Sequence, residues 1–237
     1  MEIGWYHEFH RQTVGQSDAD AFATGLDQVA QAEAWGLDAV WLAEIHQQAA
    51  RSVLSAPVTV LATLAGMTSR LKLGTGVQVL PLAHPLRLAE ETATVDQISR
   101  GRLLLGAGRS GNPNSYAAYG VPYAESRERF FETLDILKLA WTESPFTYQG
   151  KFHSLNAARA APGPFRRCIL RSGSPVRRRT LSRCWARLVI HYSSLCGAAR
   201  WPASRPTWTR IGRPTGRSGI RAGARGASPP RTARGRD

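Results

Sequence analysis

The first 165 residues predict an α/β protein built on a parallel sheet, either doubly wound or half of a (β/α)8 barrel. Three observations predict it. Strand-like and helix-like stretches alternate four times in succession. The strands are near-continuous apolar runs, as in sheets buried on both faces. Composition then breaks sharply near residue 165, which bounds the domain.

Each element has a local cause. Residues 2–9 alternate enough for a first strand. Asp18 and Asp20 are candidate caps of a first helix, with Phe22, Leu26, Val29 and Ala30 on its inner face. Trp35-Gly36 ends it, because glycine tolerates the left-handed conformation that closes a helix. Residues 38–43 (DAVWLA) form a short, bounded second strand. Ser55-Ala56-Pro57 opens a second helix that runs through Leu61 and Leu64. Residues 71–80 are the third strand, stopped by Pro81. His84-Pro85 opens a third helix with Leu86, Leu88, Ala89, Thr92, Val95 and Ile98 inward, and Gly101 closes it. His84 reads as a packing and capping residue, and the apolar face of this helix as core or subunit interface. Residues 102–106 are the fourth strand. After a loop of Gly, Ser and Asn, residues 125–141 form the fourth helix, and residues 146–155 a hairpin turning at Gln149-Gly150.

The net charge of +14 averages two unlike parts. Residues 1–165 hold 13 Lys and Arg against 16 Asp and Glu, a net −3. Residues 166–237 hold 18 Arg, no Lys and one acid, a net +17. The first part has no cysteine, which suits a reducing compartment. It has no apolar run near the roughly 20 residues of a membrane span and no basic-then-apolar leader, so a cytoplasmic location is expected. In the second part only 10 of 72 residues are Leu, Ile, Val or Phe. That lies below the roughly 20% needed to offset ordering entropy in a highly charged chain, so an Arg-rich, disordered tail is expected.

Ordered motifs make the first part specific. GLDAVWLAEIH at 36–46 is followed by LKLGTGVQVLPLAHPLRLAEETATVDQISRGRLLLGAGRS at 71–110. These include Leu-Pro-x-x-His-Pro at 80–85, Asp-Gln-x-Ser-x-Gly-Arg at 96–102 and the Gly-x-Gly-Arg after it; Tyr119-Gly120 and Ser126-Arg127 continue the pattern. This set, over about 160 residues, resembles the bacterial luciferase family of flavin-dependent monooxygenases. The resemblance implies a (β/α)8 TIM barrel of which only the first four βα units are present. It implies reduced flavin mononucleotide (FMN) at the C-terminal strand ends, supplied by a partner flavin reductase and reacting with dioxygen and a small organic substrate. A deazaflavin-dependent hydride transfer on the same fold is the close alternative. Homodimers packing the early helices are common in the family.

The resemblance also implies the site. His46 is the candidate catalytic residue, and Glu44, Thr75, Gly76, Arg109 and Arg127 the candidate flavin contacts. Thr75-Gly76 stands late in the third strand, where a missing side chain lets a flat ring approach the backbone. Arg109 and Arg127 offer guanidinium groups for a phosphate or the electron-rich end of a reduced flavin. Two departures matter. The luciferases carry two adjacent histidines where this chain has Ile45-His46, and the catalytic one aligns with Ile45. Their reactive cysteine is Gly108 here, which argues against light emission.

Residues 166–237 read as coding DNA in the wrong frame. Rebuilding codons one base out of step turns 166–198 into a sequence with a His-Pro-Pro-Ile element leading into an apolar strand, then Ser-Ser-Pro-Asp-Thr, as the family shows there. The frame change falls near residues 162–166. Strands five to eight and the phosphate-holding loop after the fifth strand are then replaced. A half-barrel leaves two sheet edges unpaired, so weak folding and weak flavin binding are expected. Two other readings of the tail are weaker. Its arginines and Trp185, Trp201 and Trp208 suit a nucleic acid. Cys168, Cys184, Cys196 and His191 match no zinc spacing.

Overall fold

A computed structural model describes residues 2–165. The tail, with the disorder, frame, zinc and nucleic-acid expectations attached to it, lies outside the described residues. In chain order the elements are β1 (Gly4–His7), α1 (Asp18–Ala34), β2 (Ala39–Leu42), α2 (Pro57–Met67), β3 (Lys72–Thr75), β4 (Gln78–Val79), α3 (Pro85–Ile98), β5 (Leu103–Leu104), β6 (Ala107–Gly108), α4 (Pro113–Ala118), α5 (Ser126–Thr142), β7 (Phe146–Gln149) and β8 (Ser154–Ala158). β1, β2, β3 and β5 make one parallel sheet in that order, and β4 pairs with β6 in parallel. Among the described residues no strand order reverses, as it would at the switch point of a doubly wound sheet; the sheet is a run of barrel strands. Among the described residues β1 and β5 are its edges.

Register sorts the side chains onto two faces. Tyr6 pairs with Trp41 and Trp41 with Gly74, so these three stand in one row facing the barrel interior. Val40, Leu42, Leu73 and Leu103 take the alternate face and enter the core beneath the helices with Leu61, Leu64, Leu88 and Leu137.

Several local expectations need correction. The third and fourth strands are each split. The third breaks at Gly76-Val77. In the fourth, Gly106 lies against β3 so closely that a Cβ there would be 2.1 Å from the Thr75 carbonyl oxygen. The loop of Gly, Ser and Asn contains α4, capped by the Asn112 side chain. The first helix is capped by Ser17, whose Oγ accepts from the Asp20 amide at 3.1 Å. Asp18 and Asp20 lie in the first turn, where carboxylates favour the helix dipole. Its most buried face is Ala21, Gly25, Val29 and Ala32, because the buried Phe9 ring fills the space a Cβ on Gly25 would need, 2.5 Å away. Phe22 and Leu26 flank that face and are half-buried. Ile98, expected inward at the end of α3, is 50% exposed. The hairpin turn spans Gly150 to His153 instead of sitting at Gln149-Gly150. His84 caps α3, as its placement before Pro85 predicted.

Three polar side chains hold the connections. The Glu33 carboxylate accepts from the amides of Ser69, Arg70 and Leu71 at 2.7–3.1 Å. The Arg102 guanidinium donates to the carbonyls of Ala65, Thr68, Leu71 and Ser99 and to the Thr68 hydroxyl, tying the ends of α2 and α3 together. Glu132, on α5, accepts from the amides of Lys151, Phe152 and His153 and fixes the hairpin turn. Among the described residues no helix is long and apolar enough to cross a membrane.

Two outcomes follow from this packing. Gly74→Ala places a Cβ 2.4 Å from the Trp41 ring, and denaturant unfolding should register a loss of about 1–3 kcal/mol. Partial burial of Glu33 opposes its charge, but the amides of Arg70, Leu71 and Ser69 outweigh that and draw its pKa down to about 2. A depressed carboxyl stabilises the fold above its unfolded pKa of about 4.3 and loses that contribution as pH falls toward the folded value. Glu33→Gln should therefore lower stability at neutral pH and flatten the loss of stability between about pH 4 and about pH 2.

Candidate active site

The C-terminal ends of the first three strands open onto a cavity of about 520 Å³. Trp41 is its floor. The indole lies across Gly74, and a Cβ on Gly4 would sit 3.0 Å from its Nε1. Side chains on β3 and β1 would displace it, so the two glycines let a large aromatic cross three strands. Gly76 faces the same space, where a Cβ would meet Tyr6 at 3.3 Å and the Trp41 Cβ at 3.4 Å.

Glu44 and His46 leave the end of β2 and line the cavity together. Their side chains are only 6% and 8% exposed. His46 Nε2 lies 2.8 Å from Glu44 Oε1, and Glu44 Oε2 accepts from the Val79 amide at 2.6 Å. The β4 backbone thus aims the carboxylate and the carboxylate aims the imidazole.

Thr75 also lines the cavity, yet its hydroxyl is engaged. It donates to the Gly106 carbonyl at 2.8 Å and accepts from the Gly106 amide at 2.9 Å. Its part in the site is to hold β3 against the fourth-strand segment. The four candidates Glu44, His46, Thr75 and Gly76 are therefore brought together. The two arginines are not among the lining residues. Arg109 donates to the buried Ser126 hydroxyl at 2.6 Å, and its carbonyl accepts from Tyr116. Arg127 is exposed on α5.

Sequence reasoning missed Tyr6, Trp41, Gln48, Arg51, Ser110 and Ser115. The alternation of the first strand carried a signal for Tyr6, and the row of glycines opposite residue 41 one for Trp41. Arg51 and Ser110 reach the cavity from loops, and Ser115 from the short α4, none of which a local pattern marks. Tyr6, Glu8 and Arg51 form a rim cluster. Tyr6 donates to Glu8 at 3.0 Å, and the Arg51 Nε does so at 2.8 Å. The Arg51 hydrogen bonds hold the Glu8 carboxyl below the usual range against partial burial. Burial and the Glu8 hydrogen bond push the Tyr6 phenol up to about 12, so it stays protonated.

The chemistry of this lining fits a flat heteroaromatic ring. Trp41 and Tyr6 offer aromatic surface, Gly76 leaves room at the wall, and Ala43, Ile45, Val77 and Val79 keep the rest apolar around one convergent acid–base pair. Among the described residues no group of three or more His, Cys, Asp or Glu is disposed to hold a metal.

Known proteins resemble this chain in sequence and fold. Residues 1–185 match the family model for the luciferase-like monooxygenase. An F420-dependent glucose-6-phosphate dehydrogenase of Kineococcus radiotolerans is 36% identical over 152 residues, covering 60% of this chain and 44% of that protein. The monooxygenase RslO1 of Streptomyces bottropensis superposes with a TM-score of 0.67 at 30% identity, over 70% of this chain and 51% of that one. The oxygenating constituent of 3,6-diketocamphane monooxygenase from Pseudomonas putida, a type II Baeyer–Villiger monooxygenase in complex with FMN, superposes with a TM-score of 0.61 at 26% identity, over 65% and 44%. The chain spans about half or less of the length of each. With a family model covering most of its residues and a parallel run of βα units to match, this chain belongs to the luciferase-like monooxygenase family of (β/α)8 oxidoreductases.

Proposed function

We propose that the cavity takes the ring of reduced FMN and that the enzyme uses dioxygen to oxidise a small organic substrate. The observation that carries this is the buried Glu44–His46 pair lining one cavity with Gly76 and Trp41. The FMN complex of the structural relative from Pseudomonas putida supports the choice of cofactor. When bound, reduced flavin supplies the electrons that activate dioxygen, and a separate flavin reductase delivers it. The residues of this chain do the rest. Trp41 and Tyr6 would offer the ring their aromatic surface. Ile45, Val77 and Val79 exclude water. Glu44 and His46 hold a proton at the wall, between Nε2 and Oε1, where a positioned acid–base group is worth about 10²–10⁴ in rate. Arg109 directly precedes the lining residue Ser110 and is the candidate for the flavin phosphate; Arg127, on the exposed face of α5, is the candidate for a group reaching past the rim.

In the same reading residues 1–165 are the half-barrel that bears the site, and residues 166–237 are sequence read out of frame. A second cofactor reading is favoured by the 36% identity to the F420-dependent dehydrogenase. A deazaflavin presents a ring of the same outline and would transfer hydride without dioxygen.

Titrating the full chain with FMN should give a saturable quench of flavin fluorescence through the Tyr6 and Trp41 rings, with weak retention on purification. Gly76→Val, which projects a branched side chain into the cavity, should weaken that affinity by about tenfold or more while leaving the circular dichroism unchanged. A quench with F420 and none with FMN transfers the assignment to the deazaflavin reading, and no quench with either sinks both. Nucleotide sequencing across codons 160–170 should reveal a one-base insertion or deletion relative to the frame of the family; an in-frame segment there would contradict the reading of the tail.

A further inference from the structure

His46 is held from two sides, and only one of the two partners, Glu44, lines the cavity. Its Nε2 meets Glu44 at 2.8 Å. Its Nδ1 lies 3.2 Å from the hydroxyl of Tyr119, and the two rings sit with centroids 4.9 Å apart, tilted by 60°. Tyr119 directly follows α4, the short helix hidden in the Gly, Ser and Asn segment. That segment docks on His46 by the main chain as well. The His46 carbonyl accepts from Asn112 Nδ2 at 3.3 Å and from the Ser115 hydroxyl at 3.2 Å. On either side of this joint a non-glycine residue takes a left-handed backbone, Gln47 at φ 57° and Ser110 at φ 58°. Such strained conformations persist where surrounding contacts enforce them.

The hydrogen-bond inventory then sets the proton. A carboxylate only accepts, and Glu44 already takes the Val79 amide on one oxygen, so a hydrogen bond between its other oxygen and the ring makes Nε2 the donor. A neutral imidazole has one proton and one lone pair, which leaves Nδ1 as an acceptor. Partial burial and the nearby Glu44 charge raise the Tyr119 phenol above its ordinary value, which keeps its hydroxyl available as a donor. We propose that Tyr119 is a positioning residue of this site: its hydroxyl caps His46 Nδ1, so that the ring proton stays on Nε2, facing Glu44. The purpose of that arrangement rests on the acid–base reading of His46 given above; the arrangement itself does not.

Diethyl pyrocarbonate tests it on the full chain, with modified histidines mapped by peptide mass spectrometry. The reagent acylates an imidazole nitrogen whose lone pair is open. In the wild-type protein His46 should react about tenfold more slowly than the exposed His10. Tyr119→Phe keeps the ring and removes only the hydroxyl, from a residue that is 49% exposed, so the fold stays in place. In this variant His46, still buried, should react faster than it does in the wild type, while His7, held by the Phe9 amide and Gln28, stays slow. A wild-type His46 as reactive as His10 would overturn the proposal, and so would a His46 rate unchanged by Tyr119→Phe, which packing of the ring alone would produce. No flavin is needed for the readout, so failure of the flavin reading and failure of this one give different results.

Discussion

The site depends on one steric constraint, the passage of the Trp41 indole over Gly74. Parallel register aligns Tyr6, Trp41 and Gly74 in one row. A ring as large as tryptophan can lie along that row only if its neighbour has no side chain. The same arrangement closes the bottom of the cavity and leaves the strand ends above it free for chemistry. A one-residue slip of any of these strands would turn the row onto the helix side and replace the floor with Val40, Leu42 or Leu73.

Above that floor, side chains are divided between holding and acting. Thr75 spends its hydroxyl on Gly106 and so joins β3 to the next segment, which keeps the glycine-lined wall in place. Glu44 is fixed by a backbone amide of β4 and in turn orients His46. The far ends of the strands are secured differently. There Glu33 and Arg102 satisfy the open amides and carbonyls of the α2–β3 and α3–β5 connections. Such connections need side-chain partners because helix ends leave backbone groups unpaired. The motif at 96–102 owes part of its form to this bracing, since Arg102 and Ser99 are its members.

Much of this was legible in order along the chain. Apolar runs and helix stops located four βα units because burial and capping act within a few residues. His84 was recognised as a cap for the same reason. Ser17 was overlooked beside two aspartates, and α4 was hidden because six residues rich in Ala, Asn and Ser have no apolar period of their own. Phe22 and Leu26 lost the innermost place on α1 to small residues because Phe9, arriving from another element, occupies that space. Of the site residues, Glu44, His46, Thr75 and Gly76 were found through motifs that cluster at strand ends. Arg109 and Arg127 rest on the resemblance and on their charge, and neither says which partner a guanidinium meets first.

The sequence by itself determined the alternation of elements, the family and the break in composition at 165, because each is written in neighbouring residues. Only the tertiary structure decided which side chains face one cavity. Trp41 over Gly74, Arg51 on Glu8 and Tyr119 on His46 join residues 33, 43 and 73 positions apart. Their meeting depends on strand register and on how α4 packs, and both are set by the whole fold.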